Sequence, residues 1–214
     1  MNREQTERYL EFLVPDEDWA RPFREEAERD DVPVIRRTTQ QFLTWTVMAE
    51  KPERILEIGT ATGFSAVVMY RAVQSYGRPD ILTVENYPPR IAAATKNLAA
   101  YADGITLLPG DAADVIRQLR GPFDMIFLDG PKAQYGIYLP RLYDLLRPDG
   151  ILVTDNVLQD GAVLQSRFML PRRERTVHKR MRDFLYEIMH DDQWHSVIVP
   201  VGDGVALSRK RSKG

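Results

Sequence analysis

Asp155 and Asn156 stand side by side at the end of the apolar run "GILVTD", and Asp129 closes a second such run, "FDMIFLD". Two carboxylates and an amide oxygen form a hard, all-oxygen half-shell that suits Mg²⁺, and Mn²⁺ and Ca²⁺ accept the same donors. An Asx-turn is the other common use of an Asp-Asn pair at a strand end, but it leaves Asp129 unexplained. Lys132 follows three residues after Asp129, a candidate proton acceptor beside that shell. A second constellation lies upstream in "LEIGTATGFSA", where Gly59 and Gly63 let the backbone approach a ligand closely, with Glu57 and Ser65 flanking them. The spacing Glu-x-Gly-x-x-x-Gly differs from the Gly-x-Gly-x-x-Gly of pyrophosphate-binding turns and favours a nucleoside with no phosphate to cradle. Tight helix–strand packing is the competing reading of the glycines alone. Glu85 ends "ILTVE", roughly 20 residues beyond the turn, where such folds place an acid on ribose hydroxyls. Asp111 in "PGDAAD" can accept from an adenine amino group.

Those side chains share one kind of place, the ends of short apolar runs. "RILEI", "ILTVE", "ITLLP", "FDMIFLD" and "GILVTD" lack polar alternation and suit strands buried on both faces. Segments of helical period, "SAVVMYRAVQ", "RIAAATKNLAAY" and "GIYLPRLYDLL", separate them, which implies right-handed crossovers and a parallel sheet. The fold expected is a doubly wound α/β structure with a seven-stranded, mostly parallel sheet. "HSVIVP" and "GVALSRK" around the turn "VGDG" should add a C-terminal antiparallel hairpin. In such sheets ligands bind beyond the carboxyl ends of the strands. Residues 1–50 read as an N-terminal helical segment, "REQTERYLEFLV", "DEDWARPFREEAERD" and "TTQQFLTWTVMAE", with residues 51–214 as the core of one domain.

Composition narrows the chemistry. The 214 residues are 43% hydrophobic and 28% charged, proportions of a water-soluble domain, and no apolar run reaches the roughly 18 residues of a membrane span. The charged start "MNREQTERYLEF" lacks the apolar stretch of a signal peptide, so a cytoplasmic protein is expected. With no cysteine, disulfides, thiolate metal sites and cysteine nucleophiles are excluded together, leaving oxygen and three histidines as metal ligands. The net charge of -2 says little about partners.

From about residue 32 onward the chain resembles the class I S-adenosylmethionine-dependent methyltransferases, and more narrowly the metal-dependent O-methyltransferases of the catechol O-methyltransferase-like group. The resemblance implies S-adenosylmethionine as cofactor, with Glu57, Gly59, Ser65 and Asp129 around its methionine part and Glu85 on the ribose. It places Asp111 and the Ala112 backbone at the adenine, and Ile35 at the mouth of the pocket. It makes Asp129, Asp155 and Asn156 ligands of Mg²⁺ or another divalent cation, and Lys132 the residue that takes the substrate proton or holds the oxyanion. The substrate implied carries two oxygens on adjacent carbons, bound together to the metal. Gly130 and Pro131 depart from the alanines that small relatives carry between this Asp and Lys.

Substrate choice turns on "SRFMLPRRERTVHKRMRDFLYEIMH". Val177, Met181, Leu185 and Ile188 fall at helical spacing as a core-facing stripe, while Arg172, Arg173 and Arg175 crowd the loop ahead of it. A charge run is ordinarily a solvated face, yet here it follows the metal loop, and phosphates are what arginines would recognise there. "DNVLQDG", "PRRER" and "VPVGDGVALSRKR" together are similar to the bacterial tRNA 5-hydroxyuridine O-methyltransferases. That resemblance implies a tRNA anticodon loop as partner and 5-hydroxyuridine, with its adjacent 5-hydroxyl and 4-carbonyl, as substrate. A small catechol or phenol is the rival substrate, and a non-catalytic cofactor-binding module the rival of another class. A nicotinamide oxidoreductase is disfavoured by the glycine spacing. The resemblance and the helical N-terminus together suggest a homodimer.

Overall fold

The computed structural model describes residues 3–14 and 17–212. The seven strands are β1 (Ile55–Ile58), β2 (Ile81–Glu85), β3 (Ile105–Pro109), β4 (Phe123–Leu128), β5 (Leu146–Thr154), β6 (Trp194–Val199) and β7 (Val205–Lys210). They form a single sheet in the order β3-β2-β1-β4-β5-β7-β6. The first five run parallel, and β7 pairs antiparallel with both β5 and β6. The chain winds outward from β1 to β3, then returns to the middle at β4 and winds the other way, so the switch point lies between β1 and β4.

Continuous apolar strands follow from cover on both faces. Along β4, Met125 and Phe127 enter one core while Phe123, Ile126 and Leu128 enter the other; Ile151 and Val153 of β5 oppose Leu152 in the same way. The first core is closed by α2 (Arg21–Arg29), α3 (Arg37–Glu50) and α4 (Phe64–Gln74). The second is closed by α6 (Ala112–Gln118), α7 (Tyr135–Leu145) and α8 (Arg175–His190), while α5 (Pro88–Leu98) links β2 to β3. The N-terminal α1 (Arg3–Leu13) lies against α3, where the Thr38 hydroxyl donates to Glu7 at 2.6 Å. Register aligns the strand tips: Ile58 is level with Leu128, and Leu128 with Thr154. Gly59, Asp129 and Asp155 therefore emerge at one edge.

Three expectations shift. The helix read from Asp16 begins at Arg21, residues 17–20 forming a turn, and Asp16 itself lies outside the described residues. The short α6 is additional; its seven residues are too few to display a stripe of apolar positions. In α8 the stripe is His178, Met181, Phe184, Leu185 and Ile188, with Val177 only half-buried. Positions three and four before Met181 share a helix face, so packing rather than period chose His178, whose Nε2 lies 3.2 Å from the Gln165 carbonyl. Among the described residues no helix is long and apolar enough to cross a membrane.

Candidate active site

Beyond the carboxyl edge lies a cavity of about 550 Å³, lined by strand ends, by the extended segment from Pro33 to Arg36, and by Asp160 and Asp203 from loops. Its volume suits a small organic ligand. Its floor is built by β1. Gly59 has φ +103, a left-handed conformation open to glycine, and a Cβ there would collide with the Asp129 carbonyl. Gly63, at φ +93, packs on Leu98 ahead of α4. Close packing thus accounts for both glycines, and Gly59 also lines the cavity.

Glu57 does not line the cavity; it is completely buried beneath it. The Ser65 and Thr83 hydroxyls donate to its two oxygens, and burial nevertheless pushes its carboxyl up to about 7. Ser65 is thereby tied to Glu57 while still forming part of the cavity wall. Glu85 has a different environment. Its carboxylate accepts from the backbone N–H groups of Ala61 at 2.9 Å and of Asn86 and Tyr87 at 3.0 Å. With roughly four lone-pair sites on a carboxylate, room remains for a hydroxyl donor from the cavity. Asp111 is exposed and outside the lining, and its Oδ1 caps α6 by accepting from Ala113 N–H at 2.9 Å. The helix start occupies one lone pair of Asp111 and leaves the rest of the carboxylate open, while Gly110 and Ala112 on either side of it line the cavity. Ile35 is buried and faces the cavity, its carbonyl accepting from Arg24 at 3.3 Å.

Asp129, Asp155 and Asn156 do come together. Asp129 N–H donates to Ile58 and Asp155 N–H to Leu128, extending the ladder past the strands, and all three side chains line the cavity. Asn156, at φ +59, turns its side chain back so that Nδ2 donates to Asp129 Oδ1 at 3.0 Å. Asp155 Oδ1 accepts from Asn156 N–H at 2.7 Å, so an Asx-like local bond and a convergent triad coexist. Burial and the neighbouring Asp129 charge raise the Asp155 carboxyl to about 7. Burial also raises Asp129, against the lowering effects of the Asn156 hydrogen bond and of the Lys132 and Arg90 charges. Two neighbouring buried carboxylates, both raised by burial, are a place where a divalent cation would relieve the penalty on their charged forms. Among the described residues no three Asp, Glu, His or Cys side chains group as a metal cluster, so the amide oxygen is needed as third donor. A half-turn of the Asn156 amide presents that oxygen. The donor set fits a hard cation on those terms.

Lys132 begins a 3-10 turn, Lys132–Gln134, and lines the same cavity. The turn closes through Gln134 N–H to the Pro131 carbonyl at 2.8 Å, and a Cβ on Gly130 would lie 3.3 Å from Ile58. The Gly130-Pro131 departure thus leaves Lys132 at the cavity. Arg172, Arg173 and Arg175 are not brought there. Arg175 donates to the Leu170 and Phe168 carbonyls at 3.0 and 3.3 Å, and Arg173 pairs with Glu174 at 3.4 Å. Arg36, Arg90, Tyr138, Asp160 and Asp203 join the lining without having been singled out in sequence. Asp203 sits in the "VGDG" hairpin turn, whose turn signal hid its side chain's role: it accepts from Asp160 N–H at 2.5 Å.

A doubly wound sheet with a nucleoside-sized cavity at its switch point, an acid on the second strand and oxygen donors on the fourth and fifth defines the class of α/β proteins that bind a nucleoside cofactor beside a second ligand. The sequence is matched over residues 23–211 by the family model "O-methyltransferase", and the chain belongs to that family. It is 31% identical over 183 residues to caffeoyl-CoA O-methyltransferase 1 of Eucalyptus globulus, covering 80% of this chain and 72% of that one. It is 38% identical over 130 residues to the catechol O-methyltransferase of Niastella koreensis, covering 58% of each chain. With the catechol O-methyltransferase of Mycobacterium tuberculosis the match is 34% and spans 62% of that protein. Among solved structures, the SAH-bound methyltransferase PaMTH1 of Podospora anserina superposes with a TM-score of 0.86 at 28% identity, covering 99% of this chain and 97% of that one.

Proposed function

We propose that this chain transfers the methyl group of S-adenosylmethionine to a hydroxyl that has a second oxygen on the adjacent carbon. The observation that carries the reading is the convergence of Asp129, Asp155 and Asn156 beside the cavity that Glu85 and Gly59 border. Family membership and the SAH-bound neighbour support the cofactor. The three side chains would hold Mg²⁺ or a similar ion, which when bound acts as a Lewis acid that lowers the hydroxyl pKa. Glu85 takes the ribose hydroxyls, and Ile35 with the segment around it limits water at the mouth. Lys132 takes the hydroxyl proton, or in its charged form holds the oxyanion. The oxygen–methyl bond forms as the sulfur–methyl bond breaks, the electron pair staying on sulfur as a neutral thioether. In-line transfer requires the walls to hold oxygen, carbon and sulfur collinear. Methyl transfer to catechol with Mg²⁺, and its loss with EDTA, tests the reading; cofactor binding without turnover on any vicinal-oxygen substrate would favour a binding module.

The relatives named for catechol and caffeoyl-CoA favour a small substrate. The tRNA reading rests on a different observation. Exposed Arg172 and Arg173 follow exposed Leu164, Phe168 and Met169, with the Arg167 guanidinium 5.4 Å from the Phe168 ring centre. Basic and stacking side chains combined in this way suit a single-stranded nucleic acid. Incubation with unmethylated bulk tRNA and nucleoside analysis by mass separates the two substrates. The same reading takes the chain as a homodimer joined through α1 and α3, where Tyr9, Phe12, Leu13, Trp45 and Met48 are exposed.

A further inference from the structure

Arg180 belongs by sequence to the basic run of α8, but its guanidinium reaches across the surface to the turn that carries Lys132. Its Nη1 donates to the Ala133 carbonyl at 3.0 Å, a contact between residues 47 apart in sequence. The bonded carbonyl lies one residue before Gln134, the N-cap of α7, and one residue after Lys132. A second anchor holds the same place from below: Phe184 of α8 meets Tyr135, the first residue of α7, edge to face with ring centres 5.6 Å apart, both rings fully buried. Within the turn itself, Pro131 has no N–H to give, and its carbonyl closes the turn by accepting from Gln134 N–H. Lysine is a flexible four-carbon stem, so the position of its ammonium or amine depends on where the backbone starts it. An apolar contact fixes the helix that follows, and only a polar one can fix the orientation of the peptide beside Lys132.

We propose that Arg180 is a positioning residue for Lys132, holding its turn at the cavity rather than serving an external phosphate. The proposal rests on the function given above, because it needs Lys132 to act on the substrate. Arg180 is exposed in the body of a helix, where alanine is well tolerated, so Arg180→Ala should fold.

The test uses the full chain with S-adenosylmethionine, Mg²⁺ and whichever of catechol or tRNA the wild-type protein methylates. Arg180→Ala should lower kcat about tenfold or more, the scale expected when a reacting group is misplaced by a fraction of an ångström. Both KM values and the melting temperature should stay close to wild type, and Arg180→Lys, which keeps a donor of similar reach, should recover most of the loss. In a Lys132→Ala background, followed to long times, Arg180→Ala should cost nothing further, because a residue acting through Lys132 has nothing left to position. An unchanged kcat, a loss confined to substrate KM, or an undiminished loss without Lys132 would each overturn the inference while leaving the function standing. A wild-type protein inactive on both substrates would instead overturn the function, and this inference with it.

Discussion

Asp155 and Glu57 show how a buried carboxyl serves two purposes at strands two apart in the sheet. Both carboxyls are lifted to about 7 by burial, but Asp155 faces the cavity beside Asp129, whereas Glu57 faces two hydroxyls under the floor. Asp155→Ala should therefore reduce metal-dependent methyl transfer by about 100-fold or more while calorimetry shows cofactor affinity within a few-fold of wild type. Equal loss of both would make Asp155 a structural residue. For Glu57 the expectation concerns stability. Its folded pKa lies above the ordinary 4.5, so between about 4.5 and 7 the folded state binds the proton that the unfolded state releases, and stability falls as pH rises through that window. Glu57→Gln should remove a penalty of about 3 kcal/mol at pH 8 and flatten that limb, as read by denaturant melts from pH 4.5 to 8. A slope identical to wild type would mean Glu57 titrates normally. Asp155 adds a slope of the same sign, so the limb should flatten without vanishing.

Helices and turns decide which acids are available to a ligand. Asp111 follows a strand directly, and capping α6 occupies one of its two oxygens. Asp111→Ala should cost about 1 kcal/mol of stability, and Asp111→Asn should cost little, since asparagine caps as well; thermal melts of the two variants check this. Sequence periodicity located β1 to β5 and most helices, because burial on both faces leaves long apolar runs. It did not locate α6, and it placed the α8 stripe one residue early at Val177, because the choice between Val177 and His178 depends on which neighbour fills the space. The arginines were legible as a cluster. Their partners were not: Arg175 turns to the Leu170 and Phe168 carbonyls and Arg180 to Ala133, contacts set by how α8 docks.

The molecule as a whole carries two clusters of exposed large side chains, on which the proposed dimer and the tRNA reading rest. On α1 and α3, Phe12 is 82% and Trp45 68% exposed, large for aromatic side chains with no function in the cavity. Phe12→Glu combined with Trp45→Glu should convert a dimer to a monomer in light scattering, without loss of melting cooperativity; a wild-type monomer would remove the dimer reading. Around Phe168, charge reversal of Arg172 and Arg173 to Glu should weaken methylation of tRNA and spare catechol, and the steep loss of tRNA binding with salt expected of the wild-type protein should flatten in the variant, because counterion release makes phosphate contacts salt-dependent. Unchanged tRNA turnover would leave the small-molecule substrate alone in the field.

By itself the sequence determined the strand–helix alternation, the glycine turn and the acids at the strand tips, all local consequences of burial and backbone freedom. Tertiary structure alone decided that Asp129, Asp155 and Asn156 meet, because that depends on β4 and β5 being neighbours in register. It also decided that Glu57 lies beneath the cavity, that Asp203 reaches it from a distant hairpin, and that Arg180 braces the Lys132 turn. Spacing along a chain constrains which face a side chain takes, whereas distance between segments is set only when the two cores close on the sheet.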